Sequence, residues 1–281
     1  MQIQPFPKFN TCKTYWVTSI IGAALVVLMM PMTVSADIEI VPHRAGYALE
    51  IRRTSQNSRI SDAKGAMLYT WGETCDGWLI EQKFVLNVVR VDGVAMDLTA
   101  ISSTWEAKDG SRFRFSIKRK RNGEAVEKIR GEGRIDGVDG SGFAEFELPK
   151  KIRIKLPKDT VFPTKHTLRL IQLAKEGVRT DRQFVFDGSK LESASPVSAF
   201  ILQPKTSKNP SPALNPPFGP FEVRNIHLAF FAATGVAPEP EFEMSIELQD
   251  NGIAPSLILN YGDYSVKGVL TRLEPLEKPD C

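Results

Sequence analysis

The pattern that decides the fold is clearest in residues 112–123, which read RFRFSIKRKRNG. Phe113, Phe115 and Ile117 occupy every second position, and charged or hydroxyl side chains lie between them. Such alternation is typical of a β-strand with one buried and one solvated face. The Asn-Gly pair at 122–123 favours a tight turn, because both residue types accept positive φ angles. The stretch therefore predicts a strand and the start of a hairpin.

The same alternation recurs along the chain. In residues 151–156 and 241–248, apolar side chains alternate with charged or hydroxyl ones, and residues 78–91 form a longer, less regular run. Turn-forming pairs separate such runs at Asp92-Gly93, Asp109-Gly110, Asn122-Gly123, Asp136-Gly137 and Asn251-Gly252. Together they predict a meander of roughly a dozen antiparallel strands.

One segment departs from this pattern. Between Phe162 and Glu176, the apolar positions fall at helical spacing. Pro163 suits a first helical turn, and Gly177 suits the position after a helix end. The spacing predicts a single helix near the middle of the mature chain.

A long meander must curl or close to protect its edge strands. One helix is too small to cover a flat sheet, so we expect an open barrel or β-spiral with the helix near its mouth. The fold class is therefore mainly β. The interior of such a sheet is either an apolar ligand cavity or a solid core, and the sequence does not choose between them.

Residues 1–36 predict a secretory signal peptide. Two lysines and no acidic residue precede an apolar stretch, and Val34-Ser35-Ala36 supplies small residues before a cleavage point. A retained membrane anchor is the alternative. Cleavage leaves 245 residues, 37–281, which we expect to form a single periplasmic domain.

The composition excludes some classes of partner. The full chain has a net charge of +3, and removal of the two lysines lowers it to +1. So small a charge argues against nucleic acid as a partner. No second apolar run approaches the roughly 20 residues needed to span a bilayer as a helix.

Three cysteines become two after cleavage, because Cys12 leaves with the signal peptide. An even pair in an oxidising compartment, Cys75 and Cys281, favours an intramolecular disulfide. Two free thiols, or pairing between molecules, are the alternatives. Neither cysteine has a Cys or His neighbour at the spacing of metal ligands, so no metal site is predicted.

No catalytic or cofactor-binding motif is present in the sequence. The three histidines, His43, His166 and His227, have no partner at metal-ligand spacing, and His166 is predicted to be a buried or rim residue of the helix. Carboxylates are numerous enough to leave a glycoside hydrolase open. Glu241, Glu243 and Glu247, however, share one polar strand face where solvation explains them.

Two surface features are predicted without a clear role. The first is a hairpin tip that follows the basic residues Arg112 and Arg114 and the basic run at 118–121. We expect it to be an exposed hairpin end; the alternative is that it contacts anionic lipid or an acidic partner. The segment Pro204 to Pro220 holds six prolines and cannot join a sheet interior, so it is predicted to be a surface loop.

Short motifs near both ends and the centre resemble a known family. They are Pro42-His43-Arg44-Ala45, Tyr47-Ala48-Leu49, Gly65-Ala66-Met67-Leu68-Tyr69, Cys75-Asp76-Gly77-Trp78, Phe162-Pro163-Thr164, His166-Thr167-Leu168, Phe186-Asp187-Gly188, Asn251-Gly252-Ile253, Leu259-Asn260-Tyr261-Gly262-Asp263-Tyr264, Leu270-Thr271-Arg272-Leu273-Glu274 and Cys281. Together these resemble the cell envelope integrity protein EipB family of alphaproteobacteria, over essentially the whole mature chain.

The resemblance implies a periplasmic β-spiral similar to lipoprotein and lipid carriers, with a disulfide between Cys75 and Cys281. It also implies a role in envelope integrity under stress and a periplasmic tetratricopeptide-repeat partner, and it supplies no catalytic residue and no cofactor. We therefore expect a non-enzymatic protein that binds a lipid, lipoprotein or protein partner in its curled sheet. A hydrolase acting on envelope glycan or peptidoglycan is the alternative.

Overall fold

The computed structural model describes residues 38–204, 222–234 and 238–281, and this part of the chain forms fifteen strands and one helix. The strands are β1 (His43–Thr54), β2 (Ile60–Glu73), β3 (Gly77–Arg90), β4 (Ala95–Ala107), β5 (Arg112–Arg121), β6 (Glu124–Ile135), β7 (Gly142–Leu148), β8 (Ile152–Leu156), β9 (Thr160–Val161), β10 (Thr180–Val185), β11 (Ser195–Ile201), β12 (Val223–Phe230), β13 (Phe242–Gln249), β14 (Ser256–Asn260) and β15 (Tyr264–Pro275). Helix α1 spans Pro163–Lys175. The predicted signal peptide, Cys12 and the proline-rich segment beyond Pro204 lie outside the described residues.

All described strands form one continuous sheet. The order is β8-β7-β6-β5-β4-β3-β2-β1-β15-β14-β13-β12-β11-β10-β9. Neighbours pair antiparallel except β9 and β10, which pair parallel. The prediction of a mainly β, curled antiparallel sheet is confirmed. The strand count exceeds the predicted dozen partly because it includes short strands such as β9, which has two residues.

The hairpin turns form where the turn-forming pairs predicted them. At the β5–β6 turn, Asn122 has φ +50° and Gly123 has φ +85°. Two successive positive φ angles match the twist of the flanking strands, which is why Asn-Gly is favoured there. Phe113, Phe115 and Ile117 are buried on one face of β5, as the alternation predicted.

The two edge strands lie close together in the chain, because only residues 157–159 separate β8 from β9. The loop before β9 also contacts the β6–β7 turn: the Thr160 N–H donates to the Gly140 carbonyl at 3.1 Å, and Asp159 donates to Asp139 at 3.0 Å. These bonds bring one edge of the sheet against its other half. The sheet therefore curls into a nearly closed barrel.

Helix α1 begins and ends as its sequence predicted. Pro163 occupies the first turn, where its missing N–H is not needed. At the other end, Gly177 has φ +77° and donates to Ala174, while Val178 donates to Leu173. This is a Schellman motif, which satisfies carbonyls at the helix end.

Side chains from three clusters fill the inner face of the sheet. One cluster joins α1, through Leu170, Ile171 and Ala174, to strands β2 and β10–β13. A second cluster lies among β1–β3, β14 and β15, and a third is rich in phenylalanine from β5, β7 and the segments beside α1. Side chains of the three clusters therefore pack against one another on the described inner face, which favours the solid-core alternative.

The helix lies at the end of the barrel that carries the β2–β3 and β4–β5 turns, residues 74–76 and 108–111; we call this the helix end. The Lys165 ammonium donates to the Asp109 carbonyl there, at 3.1 Å. Cys75, in the β2–β3 turn, is bonded to Cys281, which is 206 positions away in sequence. The disulfide thus holds the last residue of the chain at the helix end.

Candidate functional site

A groove with a volume of about 450 Å³ lies on the outer face of the sheet, because most of its lining side chains alternate along their strands with those of the apolar clusters. Ala199, Leu228 and Met244, which belong to or pack against those clusters, also line it. Strands β11 to β15 and the end of β1 line it. Its lining residues, which define the outer groove, are Arg52, Arg53, Ser198, Ala199, Phe200, His227, Leu228, Ala229, Glu243, Met244, Ser245, Ile258, Asn260 and Ser265. A volume of this size is in the usual range for a site that binds a small molecule or a lipid chain.

A β-bulge places two arginines at one end of the outer groove. The pairing of β1 with β15 shifts between Ile51 and Arg53, so Arg52 is an extra residue opposite Ser265 and Val266. A bulge re-aims the side chains beside it. Both Arg52 and Arg53 consequently line the groove, although adjacent residues of a regular strand face opposite ways.

The register of the sheet fixes the order of polar groups along the groove. Arg53 pairs with Ser265, Ser265 with Asn260, and Asn260 with Glu243, one residue from each neighbouring strand. With strands about 4.8 Å apart, Arg53 and Glu243 are separated by about 14 Å along this row. Among the described residues no ion pair joins the basic end to Glu243, which is bonded to Asn260 instead.

The basic end has unused hydrogen-bonding capacity. Arg52 and Arg53 are exposed, and neither has an acidic partner among the described residues. Ser265 is only 3% exposed, and its Oγ is buried without a hydrogen-bond partner. An unpaired buried hydroxyl is costly, so a native site usually supplies a partner for it.

The polar groups farther along the groove already have partners. Glu243 accepts a hydrogen bond from Asn260 at 2.7 Å, and the His227 Nδ1 lies 2.6 Å from the Ser245 Oγ. Between and beyond these pairs the surface is apolar. Phe200 is 55% exposed at the β11 end, and Ile258 and Ala229 are half-buried.

A second polar site, at the helix end, is closed. Glu106 of β4 is 2% exposed, and its carboxyl oxygens accept the backbone N–H groups of Thr164 and Lys165, both at 2.7 Å. Phe162, at the N-cap, has no side chain that can cap the helix, so Glu106 does so from another strand. Burial raises the pKa of Glu106 to about 7, although the two N–H groups favour its charged form.

The histidines lie apart in the structure. His43 and His166 are buried at 1% and 5% exposure, and burial lowers the pKa of both, that of His166 to about 4. His166 is thus the buried helix residue that was predicted. In the described part of the chain, no three His, Cys, Asp or Glu side chains are grouped so as to hold a metal ion.

The charged strand faces are explained by surface pairs. Glu241 pairs with Lys190 at 2.6 Å, and Glu247 accepts a hydrogen bond from Ser256. In the basic run, Arg119 pairs with Glu127 and donates to the Ser189 carbonyl. These contacts account for Arg119, whereas Lys118, Lys120 and Arg121 have no ion pair among the described residues.

Comparisons with known proteins identify the family. A sequence model described as EipB-like matches residues 34–277, which is most of the chain. The chain belongs to the EipB-like family. The family resemblance inferred from the motifs is thereby confirmed.

A named relative and a solved structure support the EipB-like assignment. The chain is 29% identical over 247 residues to the cell envelope integrity protein EipB of Brucella abortus (strain 2308), covering 85% of this chain and 86% of that protein. It also resembles the crystal structure of a beta-barrel-like protein of a domain of unknown function from Brucella abortus, with a TM-score of 0.79 and 27% identity. That match covers 85% of this chain and 99% of the other. The similarity supports a role in cell envelope integrity.

None of the helices that the structure describes is long and apolar enough to cross a membrane.

Sequence reasoning missed the outer groove of this EipB-like chain. One signal was present: the adjacent Arg52 and Arg53 interrupt the alternation in which Leu49 and Ile51 face inward. Two adjacent polar residues in an amphipathic strand indicate a bulge, and bulges occur beside functional sites. The other lining residues come from five separate strands, which no local pattern connects.

Proposed function

We propose that the protein is a non-enzymatic periplasmic factor that maintains the cell envelope by binding a lipid or lipoprotein in its outer groove. The observation that carries the envelope role is the family match over residues 34–277. The groove supports the binding role, because it combines an exposed apolar surface with a basic end. The predicted signal peptide supports export, and the family resemblance supports the periplasm as the destination.

A cellular experiment tests this function. We expect deletion of the gene to increase sensitivity to detergents and to antibiotics that act on the cell wall. The full-length gene should restore resistance, and a gene lacking codons 2–36 should not, because its product stays in the cytoplasm. Unchanged sensitivity after deletion would contradict the envelope role.

A periplasmic tetratricopeptide-repeat partner is part of the same proposal, and it rests on the family resemblance. Crosslinking in intact cells, followed by capture of the tagged protein and mass spectrometry, should recover such a protein. A cytoplasmic version of the tagged chain serves as the control for contacts made after lysis. Recovery of no repeat protein from crosslinked cells would contradict this part.

The His227–Ser245 contact supports the alternative of a hydrolase, since a serine beside an imidazole can act as a nucleophile with its base. Other features weigh against it. Ser245 lies in the middle of β13, which pairs on both sides, so its backbone N–H groups are used in the sheet and are not free to stabilise an oxyanion. Turnover of ester or peptidoglycan substrates that is lost in Ser245→Ala would establish the hydrolase instead.

A further inference from the structure

We propose that the outer groove binds an amphiphile with a single anionic group, a carboxylate or a phosphate, held by Arg52, Arg53 and Ser265, with its apolar chain directed toward Phe200. This inference rests on the proposed function, since it names the ligand class of the same groove. It is carried by the bulge, the unpartnered hydroxyl and the position of the apolar surface.

The charge at the basic end selects an anion. Arg52 and Arg53 are adjacent at the bulge and both line the groove, and neither has an acidic partner among the described residues. Guanidinium groups present planar sets of N–H donors that match the oxygens of carboxylate and phosphate. The groove carboxylate, Glu243, is about 14 Å away along the sheet and is bonded to Asn260, so it does not neutralise this end.

Ser265 points to the same ligand independently of the arginines. It sits directly across from Arg53 in the register and lines the groove, yet its Oγ is buried and unpartnered. Other buried polar atoms without a partner, such as the His166 Nε2 and Trp71 Nε1, belong to residues that do not line the groove. An anionic oxygen between the arginines would accept the Ser265 hydroxyl proton in a charge-assisted hydrogen bond.

The rest of the groove selects an apolar chain. From β1 to β11 it crosses five strand spacings, about 24 Å along the sheet. The exposed ring of Phe200 stands at the far end, with Ile258 and Ala229 between it and the basic end. The polar side chains between them are hydrogen-bonded in two pairs, Asn260 with Glu243 and His227 with Ser245. A free anion would leave this surface uncovered, and a neutral lipid would leave the arginines and Ser265 unpaired. A ligand with one charged end and one apolar end satisfies both parts.

Isothermal titration of the mature protein tests the ligand class. The probes are lysophosphatidate and the fatty acid with the same acyl chain, each below its critical micelle concentration, together with the neutral monoacylglycerol of that chain and inorganic phosphate. We expect at least one anionic amphiphile to bind about tenfold or more tightly than the monoacylglycerol and than inorganic phosphate.

A preference for lysophosphatidate would identify a phosphate head group, and a preference for the fatty acid would identify a carboxylate. Equal binding of the neutral lipid, or binding of free phosphate as tight as that of the amphiphiles, would overturn the proposal.

Three variants locate the binding site. The double variant Arg52→Gln/Arg53→Gln should weaken binding of the anionic amphiphile by about tenfold or more, and Ser265→Ala by roughly threefold to tenfold. The matched control Arg121→Gln removes an exposed arginine from the opposite half of the sheet and should change nothing. Unchanged affinity in both groove variants, with melting temperatures that show them folded, would overturn the proposal.

The cellular experiment separates failure of this inference from failure of the proposed function. If the titrations show no preference for anionic amphiphiles but the gene still protects cells from detergent, the ligand class is wrong and the envelope role stands. If deletion of the gene leaves detergent resistance unchanged, the envelope role is wrong whatever the titrations show.

Discussion

The buried polar groups of the helix end and those of the outer groove differ in one respect. At the helix end, both carboxyl oxygens of Glu106 accept backbone N–H groups of α1, and the site is closed to solvent. In the groove, the Ser265 Oγ is equally buried but unpartnered, and it lies beside two exposed arginines. The first arrangement is complete within the chain, whereas the second lacks an acceptor.

This difference indicates separate purposes for two regions of one sheet. A buried carboxylate with all its bonds made stabilises the attachment of a helix, and its loss should destabilise the fold. An unpartnered hydroxyl and two exposed arginines add little to folding, so their loss should leave stability almost unchanged. Measurements of stability and of binding on matched variants therefore test whether the two regions have these separate purposes.

The largest effect is expected from the disulfide at the helix end. In the chain-entropy model, a bond that closes 206 positions contributes about 5 kcal/mol, which is an upper value. The variant Cys75→Ser/Cys281→Ser should lose several kcal/mol in a urea unfolding titration without reductant. Wild-type protein treated with reductant is the control and should match the variant; equal stability of oxidised wild type and variant would contradict the prediction.

The unfolding free energy should depend on pH in opposite ways through Glu106 and through His166. The pKa of Glu106 is raised from 4.5 to about 7. The stabilisation of the folded state that comes from this shift is therefore fully present below about pH 4.5 and is lost as pH rises through 7. The pKa of His166 is lowered from 6.5 to about 4. The stabilisation of the folded state that comes from this shift is therefore present above pH 6.5 and is lost as pH falls through 4. The two groups therefore act in opposite directions.

The variant Glu106→Gln isolates the first group. The difference in unfolding free energy between this variant and wild type should shift in favour of the variant by up to ~3 kcal/mol as pH rises from 5 to 8, because the variant has no carboxyl group to ionise in the interior. The variant also loses one of the two helix-cap bonds at every pH, because its amide has a single acceptor oxygen. As pH falls from 6.5 to 4, the unfolding free energy of His166→Gln should instead decrease less than that of wild type. Urea titrations across this range test both variants, and curves parallel to wild type would show that neither group titrates as described.

Removal of the helix cap should have a smaller effect. Glu106→Ala leaves the N–H groups of Thr164 and Lys165 without acceptors, and we expect a loss of about 1–3 kcal/mol at pH 7. Glu81→Ala, which removes an exposed glutamate from β3, should change stability by less than about 0.5 kcal/mol. Equal effects of the two substitutions would mean that Glu106 does not hold the helix.

The smallest effect on stability is expected in the groove. Arg52→Gln/Arg53→Gln should change the unfolding free energy by no more than about 0.5 kcal/mol, because both side chains are exposed and unpaired. Ser265→Ala should be neutral or slightly stabilising, since it removes an unpartnered buried hydroxyl. Ser256→Ala is the control that breaks an existing bond, to Glu247, and should be less stable than Ser265→Ala. A loss of 2 kcal/mol or more in the arginine variant, well beyond the roughly 0.5 kcal/mol range of surface substitutions, would assign the arginines to the fold.

Much of the fold could be predicted because it depends on local patterns. Alternation placed Phe113, Phe115 and Ile117 on a buried face, and Asn122-Gly123 marked a turn. The helix limits followed from a proline and a glycine at its two ends. The Cys75–Cys281 bond was predicted from the even number of cysteines that the expected signal cleavage would leave.

The two polar sites were not predicted, because each depends on residues far apart in sequence. Glu106 and Thr164 are 58 positions apart, and nothing near either one indicates that they meet. Ser265 is unremarkable in sequence, and its role depends on the register that places Arg53 beside it.

Native mass spectrometry of protein purified from the periplasm without detergent tests the role of the outer groove most directly. Wild-type protein should carry a bound acyl lipid with an acidic group, and Arg52→Gln/Arg53→Gln purified in the same way should carry much less of it. Wild-type protein without any lipid adduct, or the same adduct in equal amount on both proteins, would contradict the assignment of the groove as an anionic amphiphile site.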